Sequence, residues 1–197
     1  MIKVSVTHNV GEIVAELERA GQDMPQAVSS ALNKMAAQVK TATSRAIRAA
    51  GYNLKASTIK DGIRIRRASS GSLSASVIAS GRPIPLIEFS AVDTGHGVAV
   101  KVLKGRKLIR NAFIVTLPNG HRAVCVREPG AKSKKVHKGD KARWSTLPIR
   151  QLYGPSLPDA MVNNAVGQAL DALVSERFPK ILAHEHEWLR KKLKAER

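Results

Sequence analysis

Ile2, Val4 and Val6 alternate with polar residues, the period of two expected of a half-buried strand. Residues 10–20 then place Ile13, Val14 and Leu17 on one helical face. From Met24 onward the apolar positions recur at intervals of three and four: Met24, Ala27, Val28, Ala31, Leu32, Met35, Val39, Ala42, Ala46 and Ile47. This spacing predicts a long helix over 24–50, a rod about 40 Å long at about 1.5 Å per residue. Leu32 lies at the centre of its stripe. Asp23 and Gln26 have capping-box spacing, Pro25 suits the first turn, and Gly51 can take the left-handed conformation that ends a helix.

One or two more helical turns fit 53–61, after which the period changes to two. Ile63-Arg64-Ile65-Arg66 and Leu73-Ser74-Ala75-Ser76-Val77 alternate around Ser69-Ser70-Gly71, which predicts a hairpin. Pro83 and Pro85 lack N–H donors, so the chain there cannot be a central strand. Leu86–Phe89 fits an edge strand or a tucked loop, and Val98–Leu103 and Phe113–Leu117 read as strands. Asn119-Gly120 turns the last of these into a strand at Ala123–Arg127. Residues 129–146 are basic, poor in apolar residues and contain glycines, so a mobile loop is expected there.

Beyond the loop, Ser156 and Asp159 have capping-box spacing with Pro158 between them. Val162, Val166, Leu170, Leu173, Val174, Phe178, Ile181, Leu182, Trp188, Leu189 and Leu193 then form one stripe. Pro179 removes a ladder hydrogen bond and clashes with the preceding turn, so a kink or break is expected, with a separable helical end after it. Helices flanking a continuous run of strands predict an α+β fold. Its antiparallel sheet would span about 63–127 and pack against the long N-terminal helix and a C-terminal helix over 157–178. A length of 197 residues fits one domain, 1–197, with two small ones as the alternative.

Charge changes the picture more than composition does. The chain carries 33 basic and 15 acidic residues, a net charge of +18. Residues 1–100 hold 12 basic and 7 acidic groups, residues 151–197 hold 7 and 6, and residues 101–150 hold 14 and 2. A net +12 in 50 residues favours a polyanionic partner: nucleic acid, an acidic protein surface or an anionic membrane. The groups placed to contact phosphate are Lys104, Arg106, Lys107 and Arg110 before a strand, with Lys101 beside them. Lys132, Lys134, Lys135, Lys138, Lys141 and Arg143 join them in the loop. Without interleaved aromatics they suit phosphate contact better than base stacking. A solvated loop with no ligand would carry the same residues.

Other chemistry is weakly supported. A single cysteine, Cys125, excludes an intrachain disulfide and fits a reducing compartment. No apolar run reaches the roughly 18 residues of a membrane span, and MIKVSVTHNV lacks the apolar core of a signal peptide, so synthesis in the cytoplasm is expected. His184-Glu185-His186-Glu187 puts its histidines at i and i+2, about 200° apart on a helix, where a metal pair needs i and i+4. His121 and Cys125 could pair as base and nucleophile across a hairpin strand, but no acid in motif context supports them. Gly95-His96-Gly97 and Gly105-Arg106-Lys107 lack the strand–loop–helix setting of a phosphate loop. The expected protein is not an enzyme and needs no metal or cofactor.

Three segments carry a resemblance. Arg82-Pro83-Ile84-Pro85-Leu86-Ile87-Glu88-Phe89 is similar to the RPIPLxxF segment of phage minor tail protein Z, a tail-completion family. Asn111-Ala112-Phe113-Ile114, Asn119-Gly120-His121 and Val124–Arg127 resemble that family's hairpin. Leu147-Pro148-Ile149-Arg150-Gln151-Leu152-Tyr153-Gly154-Pro155-Ser156 resembles the segment before its C-terminal helix. The three occur in the family's order. Residues 129–146 depart from it, being longer and more basic than the family core requires. In this resemblance Pro83, Pro85, Phe89, Phe113, Gly120, Leu147, Pro148, Tyr153, Gly154 and Pro155 read as structural, not as a ligand pocket.

The resemblance implies a virion structural protein for tail completion or head–tail joining. It would act at the head-proximal end of the tail beside other tail or neck proteins, as a homo-oligomeric ring in contact with the genome end. It also implies assembly in the host cytoplasm and no membrane. The competing reading, from charge alone, is a stand-alone nucleic-acid-binding protein.

Overall fold

The computed structural model describes residues 24–117, 119–128, 135–138, 141–144 and 148–195. The expected strand at 2–6, the helix at 10–20 and the cap at Asp23 lie outside them. The fold is α+β, as the change of period predicts, and its contacts gather into two compact units.

The first unit holds the helices and one hairpin. Helix α1 spans Met24–Ala49 and buries Met24, Ala27, Val28, Ala31, Met35, Val39 and Ile47, the expected stripe. Leu32, at the stripe's centre by sequence, is only half-buried. Gly51 stands at φ +97°, the left-handed stop a β-carbon would oppose. Helix α2 is short, Ala56–Asp61. Strands β1 (Ile63–Arg66) and β2 (Ser76–Ala79) pair antiparallel, Ile63 opposite Ala79 and Ile65 opposite Val77. The hairpin is the predicted one, but its second strand begins later than the alternation suggests.

Ser156 caps α3 (Leu157–Met161). Its hydroxyl accepts from the Asp159 N–H, and the Asp159 carboxylate accepts from the Ser156 N–H at 2.9 Å. The sequence predicts one helix continuing from here, yet the chain breaks at Val162 and restarts as α4, Asn164–Ala195. Asn163 supplies the new cap, its Oδ1 accepting from the Ala165 N–H at 3.0 Å. Helix α4 runs unbroken through Pro179. Pro179 is exposed, bracketed by the Glu176–Lys180 ion pair, while Phe178 and Leu182 stay buried. A ladder bond lost on the solvent face costs least, and the buried residues on either side keep both halves packed.

Helices α1 and α4 pack against each other and run antiparallel. Ser30 and Lys34 bond Glu185, and Gln38 accepts from Arg177, eight residues earlier on α4. Val166, Leu170, Phe178, Leu182 and Leu189 are buried. Val162 and Trp188, assigned to the stripe by sequence, are instead exposed at 63% and 53%.

The second unit is built of short strands in small sheets rather than one continuous sheet. β4 (Val92–Asp93), β5 (Gly97–Val100) and β6 (Lys107–Arg110) form one antiparallel sheet in that order. β7 (Ala112–Thr116) and β8 (Arg122–Arg127) are the predicted hairpin around Asn119-Gly120. Gly120 stands at φ +79°, and the Leu117 N–H donates to the His121 carbonyl at 2.8 Å. β11 (Ile149–Gln151) adds antiparallel to β8, and β12 (Tyr153–Ser156) pairs with β3 (Pro83–Pro85). β6, β11 and β12 have no clear alternation and were not legible as strands.

Within 129–146, expected to be loop, β9 (Lys135–Lys138) and β10 (Lys141–Trp144) pair antiparallel, Lys135 opposite Trp144 and Lys138 opposite Lys141. Cross-strand pairing satisfies backbone groups even where few apolar side chains are present. Loop composition therefore did not exclude strands.

Candidate nucleic-acid interface

The three segments singled out by their order in the sequence converge in the second unit. Pro83 and Pro85 lie in a strand that pairs only with β12 among the described residues, a position compatible with missing N–H donors. The chain then tightens into a 3-10 turn, Leu86–Glu88, with Leu86 and Phe89 buried. The Leu86 N–H donates to the Leu152 carbonyl at 3.1 Å, and the Leu152 N–H donates to the Val124 carbonyl at 2.8 Å. One backbone relay thus joins the first segment to the third and the third to the hairpin.

Gly154 completes the junction. A β-carbon there would come within 2.7 Å of the Phe89 ring, so the close approach needs glycine. Phe113 is half-buried opposite Cys125, and the Arg127 guanidinium lies 5.3 Å from the centre of its ring. Tyr153 is 52% exposed, Pro155 half-buried and Pro148 exposed, its carbonyl accepting from the Glu128 N–H at 3.0 Å. Leu147 lies outside the described residues.

The basic groups of 101–110 lie around the β5–β6 connection. Lys101, Lys104, Arg106, Lys107 and Arg110 are all exposed, and among the described residues none forms an ion pair. Arg122, Arg127 and Arg150, on β8 and β11, are also exposed, Arg122 and Arg150 on one face of the sheet and Arg127 on the other. The sequence reading passed them over because they sit singly among apolar residues. Between β8 and β11 the chain leaves the sheet and returns, and β9 and β10 of that excursion pair with each other. Lys135, Lys138, Lys141 and Arg143 are on this hairpin, whereas Lys132 and Lys134 lie outside the described residues. Alternation should have revealed Arg64, Arg66 and Arg67, in Ile63-Arg64-Ile65-Arg66-Arg67 of the first unit. All three are exposed.

The groups considered for other chemistry have structural surroundings. Cys125 is 1% exposed at the centre of β8, and burial pushes its thiol pKa up, toward the unreactive protonated form. His121 is exposed at the turn, about 13 Å away along an extended chain, so the two are not brought together. Glu185 is 4% exposed and turned into the helix pair. The Ser30 hydroxyl donates to it at 2.6 Å and the Lys34 ammonium pairs with it. Burial pushes the Glu185 carboxyl up. The hydrogen bonds from Lys34 and Ser30, with the charges of Lys34 and His184, outweigh burial and hold it below the usual carboxylate range. Among the described residues no three His, Cys, Asp or Glu side chains gather to hold a metal. No helix among them is long and apolar enough to cross a membrane.

A family model for prophage minor tail protein Z matches residues 9–195. The chain belongs to the prophage minor tail protein Z family. The match takes in all three converging segments as well as α1 and α4. Neither a curated protein nor a solved structure matches the chain. As a minor tail protein Z relative, it is a structural component of a phage tail and works among other tail proteins. The basic stretch 101–150 falls inside the family match.

Proposed function

We propose that this minor tail protein completes the tail at its head-proximal end. There it assembles as a ring beside neck and tail proteins and turns the 101–150 block toward the phosphates of the entering genome end. Assembly takes place in the host cytoplasm, and the role is structural, not enzymatic. The observation that carries this reading is the charge of that block, 14 basic groups against 2 acidic, with its described members around β5–β6 and on β8 and β11 all exposed. A fold of this size tolerates mixed-sign surfaces, so packing alone gives no reason for such clustering.

A salt titration of the full chain on a short duplex tests it. Each phosphate neutralised contributes about −0.9 to the log–log slope of affinity against salt. Replacing Lys104, Arg106, Lys107 and Arg110 by Gln should flatten the slope and weaken binding equally for unrelated sequences. Lys132, Lys134, Lys135 and Lys138 replaced by Gln should do the same. Parent slopes in both variants would remove the block from any phosphate role. Duplex binding by a chain that is never incorporated into virions would favour the stand-alone nucleic-acid-binding role.

A further inference from the structure

The β1–β2 hairpin is a two-stranded antiparallel ribbon with two unlike faces. Ile63 is buried, Ile65 half-buried, and their partners Ala79 and Val77 complete an apolar inner face. Helices α1 and α2 contact the hairpin, α1 through both strands. The opposite face carries Arg64 opposite Ile78 and Arg66 opposite Ser76, with Arg67 just beyond the strand. The chain between the strands, 67–75, holds four serines and one glycine, and positions 69–74 are all exposed.

Three observations make this face an anion-binding surface. Arg64, Arg66 and Arg67 are exposed, and among the described residues none forms an ion pair. Residues 24–87 carry ten basic groups and a single acidic one, Asp61, and the other described carboxylates of the first unit lie on α3 and α4. The ribbon is also held in place. The Asn33 side-chain amide on α1 donates to the Ala68 carbonyl at 3.0 Å, and its Oδ1 accepts from the Ala68 N–H at 2.9 Å. That two-point clamp fixes the backbone directly after Arg67, so little order remains to be gained on binding.

We propose that the outer face of the β1–β2 ribbon is a second DNA-binding surface, docking on duplex DNA through Arg64, Arg66 and Arg67 with the serine-rich turn alongside. The choice of duplex DNA follows from shape and donors. Strands about 4.8 Å apart form a ribbon that the major groove, about 12 Å wide, admits. Guanidinium groups and hydroxyls are the donors that phosphates and base edges accept from. The surface belongs to the first unit and stands apart in sequence from the 101–150 block, so it does not depend on that block's role.

The test is the salt dependence of binding of the full chain to a mixed-sequence duplex, compared with an Arg64→Gln/Arg66→Gln/Arg67→Gln variant. All three side chains are exposed, and unchanged thermal unfolding of the variant checks the fold. The expected result is weaker binding with a slope smaller by about 0.9 for each arginine that neutralises a phosphate. An Arg64→Lys/Arg66→Lys/Arg67→Lys variant, which keeps the charge, should retain most of the slope and serves as the second test if the Gln variant unfolds early. The block variants run in parallel should lose slope independently, so a failure of either surface is visible by itself. Parent affinity and slope in the Gln variant would overturn the proposal. So would loss of polyglutamate binding with duplex binding intact, which would assign the face to an acidic protein.

Discussion

Leu170 and Leu32 show how burial, not stripe position, sets the cost of a substitution. Leu170 is 3% exposed on α4, so Leu170→Ala should destabilise the protein by about 2–5 kcal/mol in denaturant unfolding. Leu32 is half-buried on α1, and Leu32→Ala should cost clearly less; equal costs would mean the Leu32 side chain has a partner on its open side. Glu185 offers a pH-dependent counterpart. Its folded-state pKa is depressed, so its ionised form stabilises the fold above the unfolded glutamate value, about 4.3. That contribution is lost as pH falls through the lower folded value. Glu185→Gln should therefore cost about 1–3 kcal/mol near neutral pH, as loss of a buried hydrogen-bonded charge does. The gap to the parent should close as the solution is acidified below about pH 4. A gap independent of pH would show that packing, not the Lys34 and Ser30 bonds, accounts for the loss.

Among the elements, those closed by bonds a few residues long were legible in the sequence. The Gly51 stop, the Asn119-Gly120 turn and the Ser156–Asp159 cap each rest on local partners, and all three appear as expected. Elements that depend on distant partners were not. β12 is a strand because β3, some 70 residues earlier, pairs with it, and β11 exists by adding to β8. Neither has an alternation of its own. At Pro179, where the local signal is for a kink or a break, the helix does not break, and buried residues lie on both sides of the proline. Gly154 tests the distant pairing directly. Gly154→Ala would push a methyl group into the Phe89 ring, a small-to-large change expected to cost about 1–3 kcal/mol. Phe89→Leu should relieve part of that cost in the double variant. Strictly additive losses would mean the two residues do not meet.

At the scale of the molecule, three separated segments share one junction, where Phe89 packs, Gly154 permits close approach and Leu152 relays backbone bonds. Of the candidate interface, the 101–110 cluster was visible in sequence because its charges are contiguous. The arginines on β8 and β11 were hidden because they sit singly among apolar residues, whereas the alternation of Ile63-Arg64-Ile65-Arg66 already set those on β1 apart from the core. Family membership makes the protein part of a phage tail, and its proposed place is the end nearest the head. Electron cryo-microscopy of the assembled phage, with this chain carrying a small label, measures that place directly. The expected result is label density confined to the head-proximal end of the tail, with a ring of copies around the channel. Label along the tail tube or at the distal tip, or its absence from purified virions, would contradict the proposed role.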